Sequence, residues 1–187
     1  MIEVNNIYKS FENSDVLKGI ETSFYRGKTN LIIGQSGSGK TVLLKCLLGL
    51  YEVDSGEIIY DGLSSKNMNS DEKLEISRKM GMVFQGSALF DSMNVLENVR
   101  FPLDMLTKID ENEKNNRAMK FIERVNLKDA VNKLPSELSG GMQKRVAIAR
   151  AIVMNPKYLF CDEPNSGLDP KTAIVIDQLI QEITKEY

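Results

Sequence analysis

The stretch "LIIGQSGSGKTVLLKCLLG", residues 31–49, joins an apolar run, a glycine-rich turn and a helical pattern without interruption. Within it, residues 34–41 fit the pattern G-x-x-x-x-G-K-[ST]. Glycines let successive backbone N–H groups curve around phosphate oxygens, and a helix that begins directly afterwards adds the partial positive charge of its N-terminus. The order of strand, loop and helix therefore predicts a phosphate-binding loop in an α/β domain.

Two side chains at the end of this loop are suited to nucleotide chemistry. Lys40 is expected to reach the β- and γ-phosphates of a nucleoside triphosphate, and the Thr41 hydroxyl is expected to ligate Mg²⁺. The residues expected to contact the nucleotide here are Gly34, Gln35, Ser36, Gly37, Ser38, Gly39, Lys40, Thr41 and Val42.

A second chemical motif, "YLFCDEP" at residues 158–164, is an apolar strand that ends in two adjacent acids. Neighbouring side chains on a strand point in different directions, so the two acids can have different roles. Asp162 is expected to hold Mg²⁺ through the water shell of the metal. Glu163 is expected to orient or deprotonate the attacking water, because phosphoryl transfer depends mainly on positioning and electrostatics. The alternative is an exposed acidic turn.

A third motif, "LSGGMQKRVAIAR" at residues 138–150, places a serine and two glycines directly before a helical run. Ser139, Gly140 and Gly141 at a helix N-terminus suit a second anion site. This motif lies too far along the chain from residues 34–41 to belong to the same loop. The alternative is that the glycines only begin a helix.

Together, "GQSGSGKT", "YLFCDEP" and "LSGGM" resemble the Walker A, Walker B and signature motifs of ABC-type ATPases, in the order of that family. The resemblance implies an α/β fold: a P-loop NTPase (RecA-like) core with an N-terminal antiparallel β subdomain and a helical subdomain that carries the signature. It also implies a head-to-tail homodimer, in which the signature of one subunit closes over ATP held by the P-loop of the other.

The resemblance extends over the whole chain and implies one ABC ATPase domain. Residues 1–85 and 156–187 are expected to form the β subdomain and P-loop core, and residues 86–155 the helical subdomain. Members of the family continue with a strand that ends in a histidine, but the sequence contains no histidine. We therefore expect a chain truncated before this H-loop, without the last core strand, that has little ATPase activity and low stability by itself. The alternative is a naturally shortened, active enzyme.

Further positions match the family one by one. Gln85 resembles the Q-loop glutamine, which contacts Mg²⁺ and water. Phe11 lies where relatives place an aromatic residue that stacks on adenine. The alternatives are that Tyr8 has this role or that Phe11 is only a packed surface aromatic. Residues 166–169, "SGLD", resemble the D-loop, and the preceding Asn165 replaces a frequent threonine.

The stretch "FQGSALFDSMNVLENVRFPL", residues 84–103, resembles the corresponding region of the Mla/Mce-associated ATPases, which drive lipid transport across bacterial envelopes. This resemblance implies an ATPase subunit that works with separate transmembrane permease subunits, with phospholipid as a possible cargo. The alternatives are a soluble ABC ATPase of translation or DNA repair and a small-molecule P-loop kinase. Soluble members generally have two fused cassettes or a long coiled coil, and such kinases lack "LSGGM".

Composition limits the partners and the location. The 24 basic and 26 acidic residues give a formal net charge of −2, so no global field attracts nucleic acid. The sequence contains no run of about 18 apolar residues, the length that is needed to span a bilayer. The N-terminus lacks the apolar stretch of a signal peptide, so we expect a cytoplasmic protein that is peripheral on the inner membrane face. Cys46 and Cys161 lie in apolar runs, which predicts buried, reduced thiols.

Local patterns predict the main elements. Apolar runs predict strands within residues 2–4, 21–25, 29–34 and 80–84. A helix is expected from Gly39 to Gly49 and another at residues 70–79. Asn94 and Glu97 have the spacing of a capping box, and Asp169 with Pro170 is expected to begin the last helix.

Overall fold

The structure is a computed structural model that describes residues 1–12 and 14–186. The chain forms two compact units, Met1–Ser77 and a second that begins at Arg78. The boundaries expected from the sequence, at residues 85 and 156, do not coincide with this division. The second unit includes the strands on both sides of the predicted helical segment, and the expected subdomain arrangement stays a prediction.

The first unit is built on an antiparallel sheet of four strands. The strands are β1 (Ile2–Phe11), β2 (Ser14–Phe24), β3 (Ser55–Tyr60) and β4 (Leu63–Ser64), in the order β2-β1-β3-β4. Ile2 and Val4 point to the buried face of β1, as the alternation of side chains along a strand requires. The antiparallel sheet expected near the N-terminus is therefore present.

Two helices complete the first unit: α1 (Lys40–Leu47), which begins directly after the glycine-rich loop, and α2 (Ser70–Arg78). Leu47 and Cys46 of α1 are buried, and the buried Tyr60 hydroxyl donates a hydrogen bond of 2.7 Å to the Leu47 carbonyl. This bond satisfies a carbonyl near the C-terminus of α1, where helical partners run out. It fixes the end of α1 to β3, and the predicted burial of Cys46 is confirmed.

The prediction of a strand at residues 29–34 is wrong. This segment belongs to neither sheet of the described residues, and its Leu31 and Ile33 side chains are 78% and 84% exposed. An apolar run favours a strand only where a neighbouring strand supplies hydrogen-bond partners. Within the described first unit no strand pairs with this segment, so the run is not part of a sheet.

The second unit combines a two-stranded parallel sheet with four helices. Its elements are β5 (Met80–Val83), α3 (Val95–Leu106), α4 (Glu111–Arg124), α5 (Gly140–Ile152), β6 (Tyr158–Cys161) and α6 (Pro170–Glu186), with short 3₁₀ turns at Lys128–Ala130 and Pro135–Glu137. β5 and β6 pair from Met80 with Tyr158 to Val83 with Cys161. The mostly helical character expected between β5 and β6 is confirmed.

The helix α5 is the centre of the second unit. It is buried along most of its length, including Val146, Ile148 and Ile152. A Cβ atom on Gly81 of β5 would lie 2.3 Å from the Ala151 carbonyl oxygen, so only glycine allows this close approach of strand and helix. The sheet and α5 therefore share one core, against which α3, α4 and α6 also pack.

Local signals for the helix ends are also confirmed. The Asn94 side chain accepts a hydrogen bond from the Glu97 N–H at 2.9 Å, and Glu97 accepts one from the Asn94 N–H at 2.8 Å. At the start of α6, Asp169 accepts from the Thr172 hydroxyl and from the backbone N–H groups of Thr172 and Lys171, and these bonds hold the pKa of its carboxyl below the usual range. The predicted burial of Cys161 needs correction, because this residue lies at the end of β6 and is only partly buried.

Candidate functional site

The glycine-rich loop of the first unit has the backbone shape that its sequence predicts. Gly37 and Gly39 have positive φ angles of 78° and 94°, a region that favours glycine. Residues 34–38 are exposed, and α1 begins at Lys40. Because α1 begins directly after the loop, the partial positive charge of its N-terminus lies beside the residues expected to bind an anion.

The Lys40 side chain folds back over the loop. Its ammonium group donates to the carbonyl oxygens of Gly34 and Gln35, at 3.0 Å and 3.1 Å. The loop also closes on itself through the Ser38 N–H, which donates to the Gln35 carbonyl at 3.2 Å. These bonds keep the lysine ammonium at the mouth of the loop, where phosphate oxygens would bind.

The candidate adenine aromatic, Phe11, is the last residue of β1 and is 39% exposed. Its ring meets that of Tyr51 edge to face, with centroids 5.3 Å apart. A Cβ atom on Gly39 would lie 3.1 Å from Val16 Cγ1 of β2, so the end of the β1–β2 hairpin lies beside the start of α1. This places Phe11 near the phosphate loop and keeps part of its ring available to a base.

The alternative aromatic, Tyr8, lies further from the phosphate loop. It is 41% exposed and pairs with Lys18 in the middle of the hairpin. Its hydroxyl oxygen would lie 2.8 Å from a Cβ atom on Gly19. The Tyr8 ring therefore covers Gly19, and the geometry favours Phe11 as the base-stacking residue.

In the second unit, three predicted functional residues meet after β5 and β6. The Gln85 side-chain amide donates to Glu163 Oε2 at 3.0 Å and to the Ser166 hydroxyl at 3.3 Å. Glu163 is exposed and has a positive φ of 46°, which is uncommon for a residue with a side chain. The parallel pairing of the two strands brings their C-terminal ends, and hence these residues, to the same edge.

The two adjacent acids have different environments, as expected for strand neighbours. Asp162 is buried, and its N–H extends the parallel ladder by donating to the Val83 carbonyl at 2.9 Å, whereas Glu163 is exposed. Because the Gln85 amide nitrogen is used by Glu163 and Ser166, the amide oxygen of Gln85 is the atom left for a cation. Carboxylate and amide oxygens are donors that fit Mg²⁺.

Mg²⁺ in nucleotide sites usually keeps several waters and few protein ligands. No cluster of three or more acidic, cysteine or histidine side chains suited to a metal occurs in residues 1–12 and 14–186.

Sequence reasoning missed two cations of α5 that hold the loop after β5. The Lys144 ammonium donates to the carbonyl oxygens of Gln85 and Phe84, and the Arg150 guanidinium donates to those of Ser87 and Ala88, both at 2.8 Å. Burial lowers the pKa of both side chains; the Asp162 carboxylate opposes the effect at Lys144. The sequence contained a signal for the burial of Lys144. This residue lies three and four positions before the buried Ala147 and Ile148, and residues with that spacing share one helix face.

The signature residues lie at the start of α5. The Ser139 hydroxyl accepts a hydrogen bond of 3.3 Å from the Met142 N–H and thereby caps the helix. Ser139 and Gly140 are exposed, but Gly141 is buried, and a Cβ atom there would lie 2.4 Å from Thr172 Cγ2 of α6. Gly141 therefore has a packing role that the sequence analysis did not foresee.

The loop between β6 and α6, which contains the predicted D-loop, is tied to α6. The Asn165 side-chain amide donates to Asp177 Oδ1 at 2.6 Å, and the Ser166 N–H donates to the Glu163 carbonyl at 3.0 Å. These contacts fix the backbone next to Glu163 and Ser166. The substitution of asparagine for threonine at residue 165 is thus accommodated by a partner on α6.

No helix in the described part of the chain is long and apolar enough to cross a membrane.

Comparison with known proteins gives consistent matches. The sequence profile of the family described as "ABC transporter" matches residues 17–166. The chain is 40% identical over 185 residues to the "Probable ribonucleotide transport ATP-binding protein" of Mycobacterium tuberculosis, covering 99% of this chain and 52% of that protein. It is also 40% identical over 190 residues to the chloroplastic protein Trigalactosyldiacylglycerol 3 of Arabidopsis thaliana, covering 98% and 55%.

The fold has close counterparts among solved structures. An ATP-binding cassette solved as a dimer in a post-hydrolysis state, bound to ADP and Pi, superposes with a TM-score of 0.89 at 33% identity, covering 100% of this chain and 84% of the other. This similarity confirms the expected α/β fold with its antiparallel β subdomain and helices. The chain spans about half the length of the curated relatives it matches.

Proposed function

The chain belongs to the ABC transporter family of ATP-binding proteins, as its three motifs predicted, and we propose that it binds and hydrolyses MgATP to power transport. The single observation that supports hydrolysis best is the hydrogen bond of 3.0 Å between Gln85 and Glu163 after two parallel strands. It brings a carboxylate and an amide to one place, where a water molecule could be oriented for attack.

Different residues bind the nucleotide and carry out the hydrolysis. In the first unit, Lys40 and the backbone of residues 34–39 bind the phosphates, Thr41 offers a hydroxyl to the metal, and Phe11 stacks on adenine. Bound Mg²⁺ would neutralise charge that develops on the phosphate oxygens. In the second unit, Asp162 and Gln85 supply oxygen donors.

Glu163 acts on the water molecule in the chemical step. It accepts a proton from water, or orients that water, while Gln85 fixes the direction of its carboxylate through their hydrogen bond. A positioned base typically contributes about 10² to 10⁴ in rate.

Paired variants test this division of roles. Lys40→Ala is expected to abolish ATP binding, because its ammonium lies at the mouth of the phosphate loop. Glu163→Gln is expected to retain ATP affinity while steady-state hydrolysis falls by about 10² to 10⁴. Isothermal titration calorimetry and a phosphate-release assay measure the two effects. Equal loss of ATP affinity in both variants would refute the assignment.

We propose a homodimer and separate permease subunits as partners. The solved cassette described above is a dimer, which supports an assembly in which the Ser139, Gly140 and Gly141 segment of one subunit contacts ATP held by the other. The exposure of Ser139 and Gly140 leaves them accessible for this contact. The protein would then lie on the inner face of the membrane, held there by the permease.

The proposed cargo is a phospholipid. It is supported by the resemblance of residues 84–103 to lipid-transport ATPases, and by the lipid name of the plant relative. The mycobacterial relative, equally similar, is named for ribonucleotide transport, so overall identity does not determine cargo. Purification of the native complex, followed by mass spectrometry of its membrane subunits and bound lipids, tests the proposal. A complex that contains a nucleotide or amino acid permease and no lipid contradicts it.

We also propose that residues 1–187 by themselves hydrolyse ATP slowly. The segment that leads into the phosphate loop belongs to neither described sheet, so the loop is held from its C-terminal side by α1 with little support from residues 29–34. Hydrolysis by the purified chain, compared with an identically prepared Glu163→Gln sample, measures this. Robust hydrolysis that depends on Glu163 contradicts it.

A further inference from the structure

The loop that carries Gln85 adopts a backbone that does not form easily by itself. Ser87 and Ala88 both have left-handed φ angles, of 61° and 49°. Residues with side chains rarely adopt this region, and they remain there only where surrounding contacts hold them. The hydrogen bonds inside the loop are those of a tight turn, from the Ser87 N–H to the Phe84 carbonyl and from the Ala88 N–H to the Gly86 carbonyl.

Two cations of α5 supply the surrounding contacts. Arg150 donates to the Ser87 and Ala88 carbonyls, while Lys144 donates to the Phe84 and Gln85 carbonyls. Between them they bind carbonyl groups on both sides of Gly86. The loop is therefore attached to α5 along most of its length.

Lys144 is an unusual residue for this position. Only 4% of it is exposed, and it lies among the apolar residues of α5. Lysine is almost never so buried unless the charge is paired or hydrogen bonded, because removing an ammonium group from water is costly. An apolar side chain at this position would fill the same core without removing a charge from water, so packing alone does not explain the presence of a lysine.

We infer that Lys144 is a positioning residue: its ammonium group, bound to the Gln85 carbonyl, directs the Gln85 side chain toward Glu163. The inference rests on the proposed ATPase function, because it concerns how the carboxylate that acts on water is held. The same helix begins with the exposed signature residues Ser139 and Gly140. Lys144 thus connects that helix to the backbone of the catalytic loop.

The helix offers a matched control. Arg145, the next residue, also donates from α5 to backbone carbonyls, those of Val125 and Asn126, at 3.0 Å and 3.2 Å. Burial lowers its pKa as it lowers that of Lys144. Its contacts stabilise the end of α4 and do not involve the Gln85 loop.

The test compares Lys144→Met with Arg145→Met in the native protein, purified with the subunits that accompany it. Methionine keeps an unbranched side chain of similar length and removes the ammonium group. For Lys144→Met we expect kcat to fall about 10- to 100-fold, since small misplacements of catalytic groups have effects of this size. The ATP dissociation constant, which depends on the phosphate loop, should change by less than about twofold. Arg145→Met should leave kcat within about twofold of the parent.

Hydrogen exchange gives a readout that does not depend on activity. Peptides that cover residues 84–90 should exchange faster in Lys144→Met, whereas Arg145→Met should affect only peptides near residue 125. Lys144→Leu, which also removes the donor, replaces Lys144→Met if the latter fails to fold, and the same criteria apply.

The inference is overturned if Lys144→Met retains the parent kcat, if its loss matches that of Arg145→Met, or if exchange at residues 84–90 is unchanged. Failure of the proposed function looks different, because the parent protein itself would then show no ATP hydrolysis. The exchange experiment would still decide whether Lys144 holds the loop.

Discussion

At the scale of single residues, Gly141 illustrates how a signature residue can have a packing role as well as a binding role. A methyl group at Gly141 would collide with Thr172 Cγ2, whereas one at Gly140 would meet Leu168 Cδ2 at an ordinary 3.6 Å. We therefore expect Gly141→Ala to reduce the free energy of unfolding by about 1–3 kcal/mol through overpacking. Gly140→Ala should be neutral or stabilising, because alanine favours helices by about 1 kcal/mol.

Thermal and urea unfolding measure these effects. Thr172→Ser removes the colliding methyl group but keeps the hydroxyl that bonds to Asp169. Combining it with Gly141→Ala should restore most of the lost stability. If the double variant is no more stable than Gly141→Ala, the collision with Thr172 is not the cause.

Phe11 lends itself to a second test at this scale, because stacking on adenine and binding of phosphates are separate interactions. Phe11→Leu should weaken ATP binding by about 5- to 150-fold, since base–aromatic stacking contributes about 1–3 kcal/mol. Binding of tripolyphosphate, which has no base, should be unchanged. Titration calorimetry with both ligands measures this, and Tyr8→Leu is the matched control. Selective loss of ATP affinity in Tyr8→Leu alone would transfer the role to Tyr8.

At the scale of elements, the start of α3 depends on one buried amide. Asn98 is fully buried, and its side chain bonds to the Phe90 N–H and to the carbonyls of Phe90, Met93 and Asn94. This fixes the turn that leads into the helix. Asn98→Leu should reduce the free energy of unfolding by about 2–4 kcal/mol, because several buried backbone groups lose their partner.

Asn94→Ala is the comparison for Asn98→Leu, since it removes only the capping interaction at the same end of α3, at a cost of about 1 kcal/mol. Urea unfolding followed by circular dichroism measures both. If Asn98→Leu is no more harmful than Asn94→Ala, the buried hydrogen bonds contribute little.

The elements also show what could be predicted from the sequence. Helix starts such as Asn94 and Asp169 were found because capping involves residues only two or three positions apart. The strand at residues 29–34 was wrong because strand formation depends on a partner far away in sequence. Phosphate-loop and acidic residues follow local motifs, but the contacts of Lys144 and Asn98 depend on tertiary burial. A polar residue on an otherwise apolar helix face was the available signal for both.

At the scale of the whole molecule, the exposed signature leads to a prediction about assembly. Ser139→Arg should let single subunits bind ATP but prevent the ATP-dependent dimer, because a long side chain would occupy the space that nucleotide must enter. Light scattering with ATP, in a Glu163→Gln background of the native protein, measures this. Ser139→Gly is the control, since it costs the helix cap only a few tenths of a kcal/mol. Normal dimerisation of Ser139→Arg would contradict the proposed assembly.

The exposed Leu31 and Ile33 have a practical consequence for handling the protein. Residues 29–34 expose two large apolar side chains to water and belong to neither described sheet, so this segment is a template for intermolecular β pairing. Residues 1–187 at high concentration should therefore aggregate through this segment. A lysine in place of Leu31 or Ile33 would act as a gatekeeper against aggregation.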